Sequence, residues 1–354
     1  MISDLRLQQF RSYADASFEF GTGVNIIVGP NGSGKTNLLE AILVLARGNS
    51  YRVSDADLVQ FDAEWFRLDA QLDAGDARRT VKLQLLPRQT KTYELDDKKY
   101  QRLSLPHMVP VVLFEPNHLQ LLHGSPDARR TYLDDLLEQT TTGFGTFRRN
   151  YRRILSQRNS LLKRPIRPTE QELFPWNLRL SELGATIVRA RVDLCTQLNA
   201  TLAEVYGQIS QADTKVVLEY LPKFPVGAYE SQLLAKLESH THEDIVRGFT
   251  AYGPHREDFS VTFNARAADE YASRGETRTA LLALKIIELQ LLESVRGQTP
   301  LLLLDDVFSE LDGVRRRSLT GFLQRYQTFL TTTDADVVVK HFTDSTILPI
   351  SRSS

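Results

Sequence analysis

Gly29-Pro30-Asn31-Gly32-Ser33-Gly34-Lys35-Thr36 fits the pattern G-x-x-x-x-G-K-[ST], the phosphate-binding loop of a large class of nucleotide hydrolases. The residues before it, Val24-Asn25-Ile26-Ile27-Val28, form a short apolar run that reads as a buried strand. Those after it, Thr36 to Arg47, carry Leu38, Leu39, Ile42, Leu43 and Leu45 at helical spacing. The loop therefore lies between a strand and a helix N-terminus, where its chemistry requires it. Glycines let the backbone curl so that successive N–H groups face one concavity, and the helix dipole adds positive potential there. Lys35 is placed to reach the β- and γ-phosphates, and the Thr36 hydroxyl to ligate Mg²⁺. A Gly-rich turn with a chance Lys-Thr would not need both flanking elements.

Outward from the loop, residues 1–100 read mainly as strands. Ile2 to Leu7 and Ala16 to Phe20 alternate. So do Phe66 to Leu72 and Val81 to Leu85, joined through the hairpin signature Asp73-Ala74-Gly75-Asp76. Lys91 to Leu95 precedes a turn at Asp96-Asp97-Lys98-Lys99, and Val109 to Phe114 is a buried strand ended by Pro116. Composition changes near residue 124. Ser125-Pro126-Asp127 is a helix start, with Ser as N-cap, Pro at the first position and an acid in the first turn. The helical pattern runs to about residue 207. One stripe holds Phe147, Tyr151, Ile154, Leu155, Leu161 and Leu162; the other holds Trp176, Leu180, Leu183, Ile187, Leu194, Leu198 and Val205. Lys163 to Thr169 breaks the two, so a helical hairpin is expected. Later segments read as a strand (Asp258 to Phe263), a long helix (Gly275 to Val295), a buried strand (Leu301 to Leu304) and a helix (Asp312 to Tyr326). A strand (Thr328 to Leu330), a helix (Asp334 to Phe342) and a last strand (Ile347 to Ile350) complete the chain. This order predicts an α/β nucleotide-binding head, mixed sheet plus crossover helices, formed by residues 1–123 and 245–354. A mainly helical arm, residues 124–244, interrupts it.

Leu301-Leu302-Leu303-Leu304-Asp305-Asp306 matches a Walker B strand, whose buried run delivers acids to its C-terminal edge. Asp305 is expected to hold Mg²⁺ with Thr36. Asp306, one residue on, is the candidate to orient or deprotonate attacking water. The plain alternative is a strand end with solvated acids. Phe308-Ser309-Glu310-Leu311-Asp312 has the S-x-L-D form of the D-loop of ABC-type ATPases, although Asp312 also suits a helix cap. Ser273-Arg274-Gly275-Glu276 opens the long helix where ABC-type ATPases carry their signature, a Ser-x-Gly that covers the phosphates held by a second subunit. Ser before a helix is otherwise an N-cap.

With these elements quoted, the chain resembles the RecF family of bacterial DNA-repair ATPases, related to SMC-type heads. The resemblance runs nearly end to end: Phe10-Arg11-Ser12-Tyr13, the run from Gly29, Phe114-Glu115-Pro116, Gly124-Ser125-Pro126 with Arg129-Arg130 and Leu133-Asp134, Gly253-Pro254-His255-Arg256, Ser273, and the run from Asp305. It implies an ABC-type P-loop ATPase head with an inserted helical arm. ATP and Mg²⁺ are the implied cofactors, with Arg11 approaching the phosphates and Gly29, Pro30, Asn31, Gly32, Ser33, Gly34, Lys35, Thr36, Ser273 and Gly275 contacting nucleotide. It further implies an ATP-dependent homodimer on double-stranded DNA, with junctions to single strands as a variant substrate, and RecR and RecO as partners in recombinational repair. The chain departs from the family at Pro116-Asn117-His118, often Pro-Glu-Asp, and at Arg274 and Glu276, where glutamines are commoner. Thr331-Thr332-Thr333-Asp334 stands where ABC proteins have a switch histidine, leaving Thr333 as a weaker γ-phosphate sensor.

Between Arg148 and Arg167 there are eight Lys or Arg and no acid, a density that suggests a polyanion partner. Arg148, Arg149, Arg152 and Arg153 lie one helical turn apart in pairs and would track a phosphate backbone without reading bases. The competing possibility is pairing with acids such as Asp134, Asp135 and Glu138. Net charge is only −1, so any nucleic-acid affinity must be local. The single cysteine, Cys195, fits a reducing compartment, and no secretory signal or membrane-length apolar run is visible, which leads to an expected cytoplasmic location. His255 belongs near either the nucleotide or DNA. Rival functions are an ABC-transporter nucleotide-binding subunit, a small-metabolite kinase and an SMC-type structural protein. The helical insert argues against the first, the signature and D-loop against the second, and the short arm against the third.

Overall fold

The computed structural model describes residues 1–72, 77–334, 338–340, 342 and 345–351, without the side chains of residues 119, 120, 309 and 310. The expected hairpin turn at 73–76 and residues 335–337 and 341 of the expected helix over 334–342 lie outside the described residues. In chain order the strands and helices begin with β1 (Ile2–Phe10), β2 (Tyr13–Glu19), β3 (Val24–Val28) and α1 (Lys35–Arg47). Next come β4 (Trp65–Leu72), β5 (Ala77–Gln84), β6 (Thr90–Leu95), β7 (Lys98–Tyr100) and β8 (Val111–Phe114). Then follow α2 (Pro126–Thr140), α3 (Phe144–Leu162), α4 (Glu170–Ser210), β9 (Val216–Leu221), α5 (Tyr229–Ser239) and α6 (Thr241–Arg247). The rest are β10 (Asp258–Phe263), β11 (Arg266–Ala267), α7 (Ala268–Tyr271), α8 (Arg274–Arg296), β12 (Leu301–Leu304), α9 (Val307–Glu310), α10 (Gly313–Leu323), β13 (Thr328–Thr332) and β14 (Ser345–Pro349).

The chain divides into two units. One comprises residues 1–118 and 288–354, the other residues 119–287, with α8 passing from the second into the first. In the first unit the strands form two sheets. An antiparallel sheet runs β2-β1-β4-β5-β6-β7, and a parallel sheet runs β14-β3-β13-β12-β8. Parallel strands buried on both faces read as continuous apolar runs, and all four leucines of β12 are buried. Helix α1 packs Leu38, Leu39, Ile42, Leu43 and Leu45 into the core with Phe10, Phe66 and Leu68 of the antiparallel sheet and Phe329 of β13. The Gln327 side chain ties the two sheets: it accepts from Ile2 N at 2.7 Å and donates to Ile2 O at 2.7 Å and Gly21 O at 2.9 Å.

In the second unit, α3 and α4 pack together as the expected hairpin. Helix α4 starts at a full capping box, in which Thr169 accepts from Glu172 N and Glu172 accepts from Thr169 N. Ser125 caps α2 as the sequence suggests, accepting from Ala128 N. One expectation changes. Asp258 to Phe263, read as a strand of the head sheet, pairs antiparallel with β9 and β11 in a third sheet, β11-β10-β9. The pairing of β9 with α4 explains why: Asn199 exchanges two hydrogen bonds with Leu218, at 2.6 and 2.8 Å, fixing the strand against the long helix.

Candidate nucleotide-binding site

In the first unit, β3, β13 and β12 lie side by side and parallel, so their C-terminal ends share one edge. Parallel α/β sheets bind ligands at that edge. The Gly29–Thr36 loop leaves β3 there, Asp305 and Asp306 leave β12 there, and Thr331 and Thr332 end β13 between them.

The loop is tightly constrained. Gly34 caps α1 with a φ of 105°, where a Cβ would stand 2.9 Å from the Tyr13 hydroxyl. That hydroxyl donates to Gly34 O at 3.1 Å, so the β1–β2 turn braces the loop. A Cβ on Gly29 would stand 2.4 Å from the carbonyl of Ile350. Lys35 is buried, and its Nζ donates to Gly29 O at 2.8 Å and Pro30 O at 3.1 Å, inside the curl of the loop. Among the described residues the buried Ser33 hydroxyl has no hydrogen-bond partner, a donor that a phosphate oxygen would satisfy. The residues present thus fit a nucleotide phosphate.

Asp305 meets the end of the loop. Thr36 Oγ1 donates to Asp305 Oδ1 at 3.0 Å. A hydroxyl and a carboxylate oxygen side by side make the hard-oxygen set that Mg²⁺ takes in such sites. Asp306 sits in the left-handed region, φ 52°, and caps the short α9. Burial pushes its carboxyl up from the ordinary range; Lys35 opposes that and Asp305 reinforces it. Arg11, also left-handed at φ 54°, donates from Nε to Glu40 Oε2 at 2.8 Å and from Nη1 to Asp57 O at 3.1 Å. Glu40 is fully buried on α1 and also accepts from the Ser50 hydroxyl. Glu40 and Tyr13 were missed from sequence; an acid among the apolar residues of the loop helix was the available signal for the first.

In the second unit, Ser273 is exposed at the start of α8. Ser273 N donates to Glu276 Oε2 at 2.8 Å and the Ser273 hydroxyl accepts from Glu276 N at 3.2 Å. This is the capping arrangement set out as the alternative. The same backbone bond holds the Glu276 carboxyl below its ordinary pKa. Asp312 likewise caps α10, accepting from Arg315 N at 3.0 Å.

The basic run needs a correction. Arg148 is buried and forms ion pairs with Asp134 (3.1 Å), Asp135 (2.8 Å) and Glu138 (3.0 Å). Burial alone would lower its pKa; the three carboxylates outweigh burial and raise it. Its charge is committed to α2, so it is not presented to a phosphate backbone. Arg158 is fully buried too, donating to Asp244, Asn177 and Thr250 at 2.7 Å each. Arg149, Arg152 and Arg153 are exposed, as are Lys163, Arg164 and Arg167. His255 is half-buried within the same unit: its Nδ1 lies 2.7 Å from the Tyr151 hydroxyl and its Nε2 lies 3.1 Å from Thr250 O.

Residues 1–347 match the family model described as the RecF/RecN/SMC N terminal domain. A DNA replication and repair protein RecF of Heliobacterium modesticaldum is 35% identical over 343 residues, 94% of this chain and 92% of that protein. A second, of Acidothermus cellulolyticus, is 35% identical over 349 residues, covering 95% and 94%. Among solved structures, one described as the recombination mediator protein RecF-ATP in the RecFOR pathway superposes with a TM-score of 0.84 at 31% identity, covering 94% of this chain and 92% of that one. An SMC head domain from Pyrococcus furiosus shares the fold, with a TM-score of 0.52 at 15% identity over 99% of this chain and 94% of that one. Among the described residues, no helix is long and apolar enough to cross a membrane.

Proposed function

The chain belongs to the RecF family within the RecF/RecN/SMC group of ABC-type ATPase heads, and from that premise we propose that it is an ATP-driven clamp on double-stranded DNA. The observation that carries this reading is the meeting of Thr36 and Asp305 at 3.0 Å beside a buried Lys35, at the common edge of three parallel strands. The relatives' named role in DNA replication and repair, and a RecF structure described with ATP, supply the substrate class.

Gly29 to Thr36 bind the phosphates of ATP, with Lys35 turning from the loop carbonyls to the β- and γ-oxygens. Thr36 and Asp305 hold Mg²⁺, which neutralises phosphate charge when bound. Asp306 orients the attacking water and accepts its proton, and burial of its carboxyl makes it a better base. Arg11 adds positive charge at the phosphates from its anchor on Glu40. Ser273 and Gly275 of a second copy cover the γ-phosphate. ATP is then bound better by the closed pair than by single copies, which shifts the population toward a dimer. The unit of residues 1–118 and 288–354 acts as the head and the unit of residues 119–287 carries the arm, whose exposed Arg149, Arg152 and Arg153 follow duplex phosphates. Hydrolysis, slow and stimulated by DNA, reopens the pair. RecR and RecO are the partners, in recombinational repair and fork maintenance. The relatives named in DNA replication and repair weigh against the transporter alternative.

Size in solution by light scattering, with and without ATP and duplex DNA, tests this. The wild type should double in mass only with ATP, and Lys35→Ala should stay at its nucleotide-free size. A wild type that keeps one mass in all conditions would refute the dimer. An ATP-dependent dimer in Lys35→Ala would remove the phosphate loop from the account.

A further inference from the structure

The strand between the phosphate loop and the paired acids ends in Thr331 and Thr332, with Thr333 just beyond it, and Thr331 makes contacts that the roles of the loop and the acids do not use. Thr331 is fully buried on β13, the strand paired on one side with β3 and on the other with β12. Its hydroxyl donates to Asp305 Oδ1 at 2.8 Å. The same oxygen accepts from the Asp306 backbone N at 2.9 Å. Leu304 O lies farther off, at 3.5 Å, so the single hydroxyl proton goes to the carboxylate. Thr333, the expected sensor, is exposed and makes no such bond among the described residues.

We infer that Thr331 is the positioning residue of the hydrolytic site, holding the Asp305 carboxylate and the Asp306 backbone in one geometry through a single hydroxyl. The inference rests on the reading of Asp305 and Asp306 as the metal-holding and water-orienting acids. Its physical basis is the pairing of two constraints. Asp305 Oδ1 accepts from both Thr36 and Thr331. When Thr36 turns its hydroxyl oxygen to a metal, Thr331 still fixes the carboxylate. Asp306, meanwhile, holds a left-handed backbone that non-glycine residues adopt only with support, and its N–H is satisfied by Thr331. Loss of that bond removes one support of the left-handed backbone and shifts the side chain at the edge where water must be aligned. A misplacement of this kind leaves substrate affinity intact and slows the chemical step, by up to about 100-fold for an ångström.

The test compares wild type, Thr331→Val, which keeps the shape and removes the hydroxyl, and Thr331→Ser, which keeps the hydroxyl. Thr331→Ala replaces the valine variant if the latter does not fold. Two quantities are read in the full chain: single-turnover ATP hydrolysis, and the Mg²⁺ concentration that half-saturates binding of a fluorescent ATP analogue. Thr331→Val should lower the hydrolysis rate by roughly 10- to 100-fold and raise the Mg²⁺ requirement several-fold. Nucleotide affinity at saturating Mg²⁺ should stay within about 3-fold, and Thr331→Ser should restore both quantities. Wild-type hydrolysis and Mg²⁺ dependence in the hydroxyl-free variant would overturn the inference. So would equal losses in the valine and serine variants, which mark a packing role. If the wild type binds ATP and does not hydrolyse it, the hydrolytic reading falls, and the Mg²⁺ titration alone decides whether Thr331 positions Asp305.

Discussion

Removing Arg148 separates a structural arginine from its exposed neighbours. The side chain is 9% exposed, and three carboxylates converge on it within 3.1 Å. Breaking a buried ion pair from one side costs about 3–5 kcal/mol, because the partner charges are left uncompensated. Here the loss should fall at the lower end. Asp134 keeps Arg191, whose Nε donates to it at 2.8 Å, and Asp135 is 38% exposed and so reaches water. Glu138, 19% exposed, reaches water less than Asp135 does. Arg148→Ala should therefore destabilise the unit of residues 119–287 by about 3 kcal/mol, a fall in Tm of roughly 6–12 °C for a unit of this size. Arg149→Ala, one residue away and exposed, should stay within about 0.5 kcal/mol of wild type. The chain has two tryptophans, Trp65 in the first unit and Trp176 in the second, so Trp176 fluorescence in a Trp65→Phe background follows the right transition. If Arg148→Ala unfolds with Arg149→Ala, the carboxylate cluster does not hold the arm together. If it also reduces the salt dependence of DNA binding while folding normally, Arg148 touches phosphate and its charge is not committed to α2.

Replacing Arg149, Arg152 and Arg153 together should leave stability unchanged and lower the slope of log affinity for duplex DNA against log salt by about 1 for each phosphate that is no longer neutralised. An unchanged slope returns these residues to a solvated face. A pH effect should come from His255. Burial pushes its pKa down to about 4; its bond to Thr250 opposes this, and Arg256, Arg130 and Arg191 add to it. With the folded pKa below the unfolded value of about 6.5, the unfolded chain binds more protons between the two, and stability is lost as pH falls through that window. The loss between pH 7 and pH 5 should be about 2 kcal/mol. His255→Gln, compared with wild type by urea unfolding at both pH values, should lack this increment; equal pH dependence would mean that folding does not lower the His255 pKa.

The phosphate loop was readable because all of its chemistry is contiguous. One strand, one loop and one helix start make up the candidate phosphate site, and each has its own local signal. The Walker B strand was readable for a related reason: only a strand covered on both faces tolerates four leucines in a row. The arginine helix was misread in part, although its sequence held the distinction. Arg148, Tyr151, Leu155, Arg158 and Leu162 follow one another at steps of three or four, so both arginines lie on the stripe that faces inward. A charged residue on such a stripe is paired rather than solvated. Arg149 and Arg153 are off it. Counting charge along the chain therefore overstated the basic surface, and sorting the same charges by helical face would have withdrawn Arg148 and Arg158.

No such periodicity separates Thr331 from Thr333. Successive residues of a strand alternate between faces, so 331 and 333 are equivalent until the strand's end and its neighbour's register are known. The register that decides is parallel pairing with β12, Leu304 opposite Leu330, which brings the next residues of both strands, Asp305 and Thr331, side by side. Parallel pairing is non-local by construction, since a crossover must separate the partners, and here α9 and α10 lie between them. β9 escaped for the same reason: Val216-Val217-Leu218-Glu219-Tyr220-Leu221 alternates, yet its partner β10 starts only at Asp258, beyond two helices. What the sequence makes readable is thus the half of a site built by one stretch of chain. The half built by register, a hydroxyl aligned with an acid on the next strand, becomes visible only when the sheet is assembled, and at this site that half fixes the geometry of the acids.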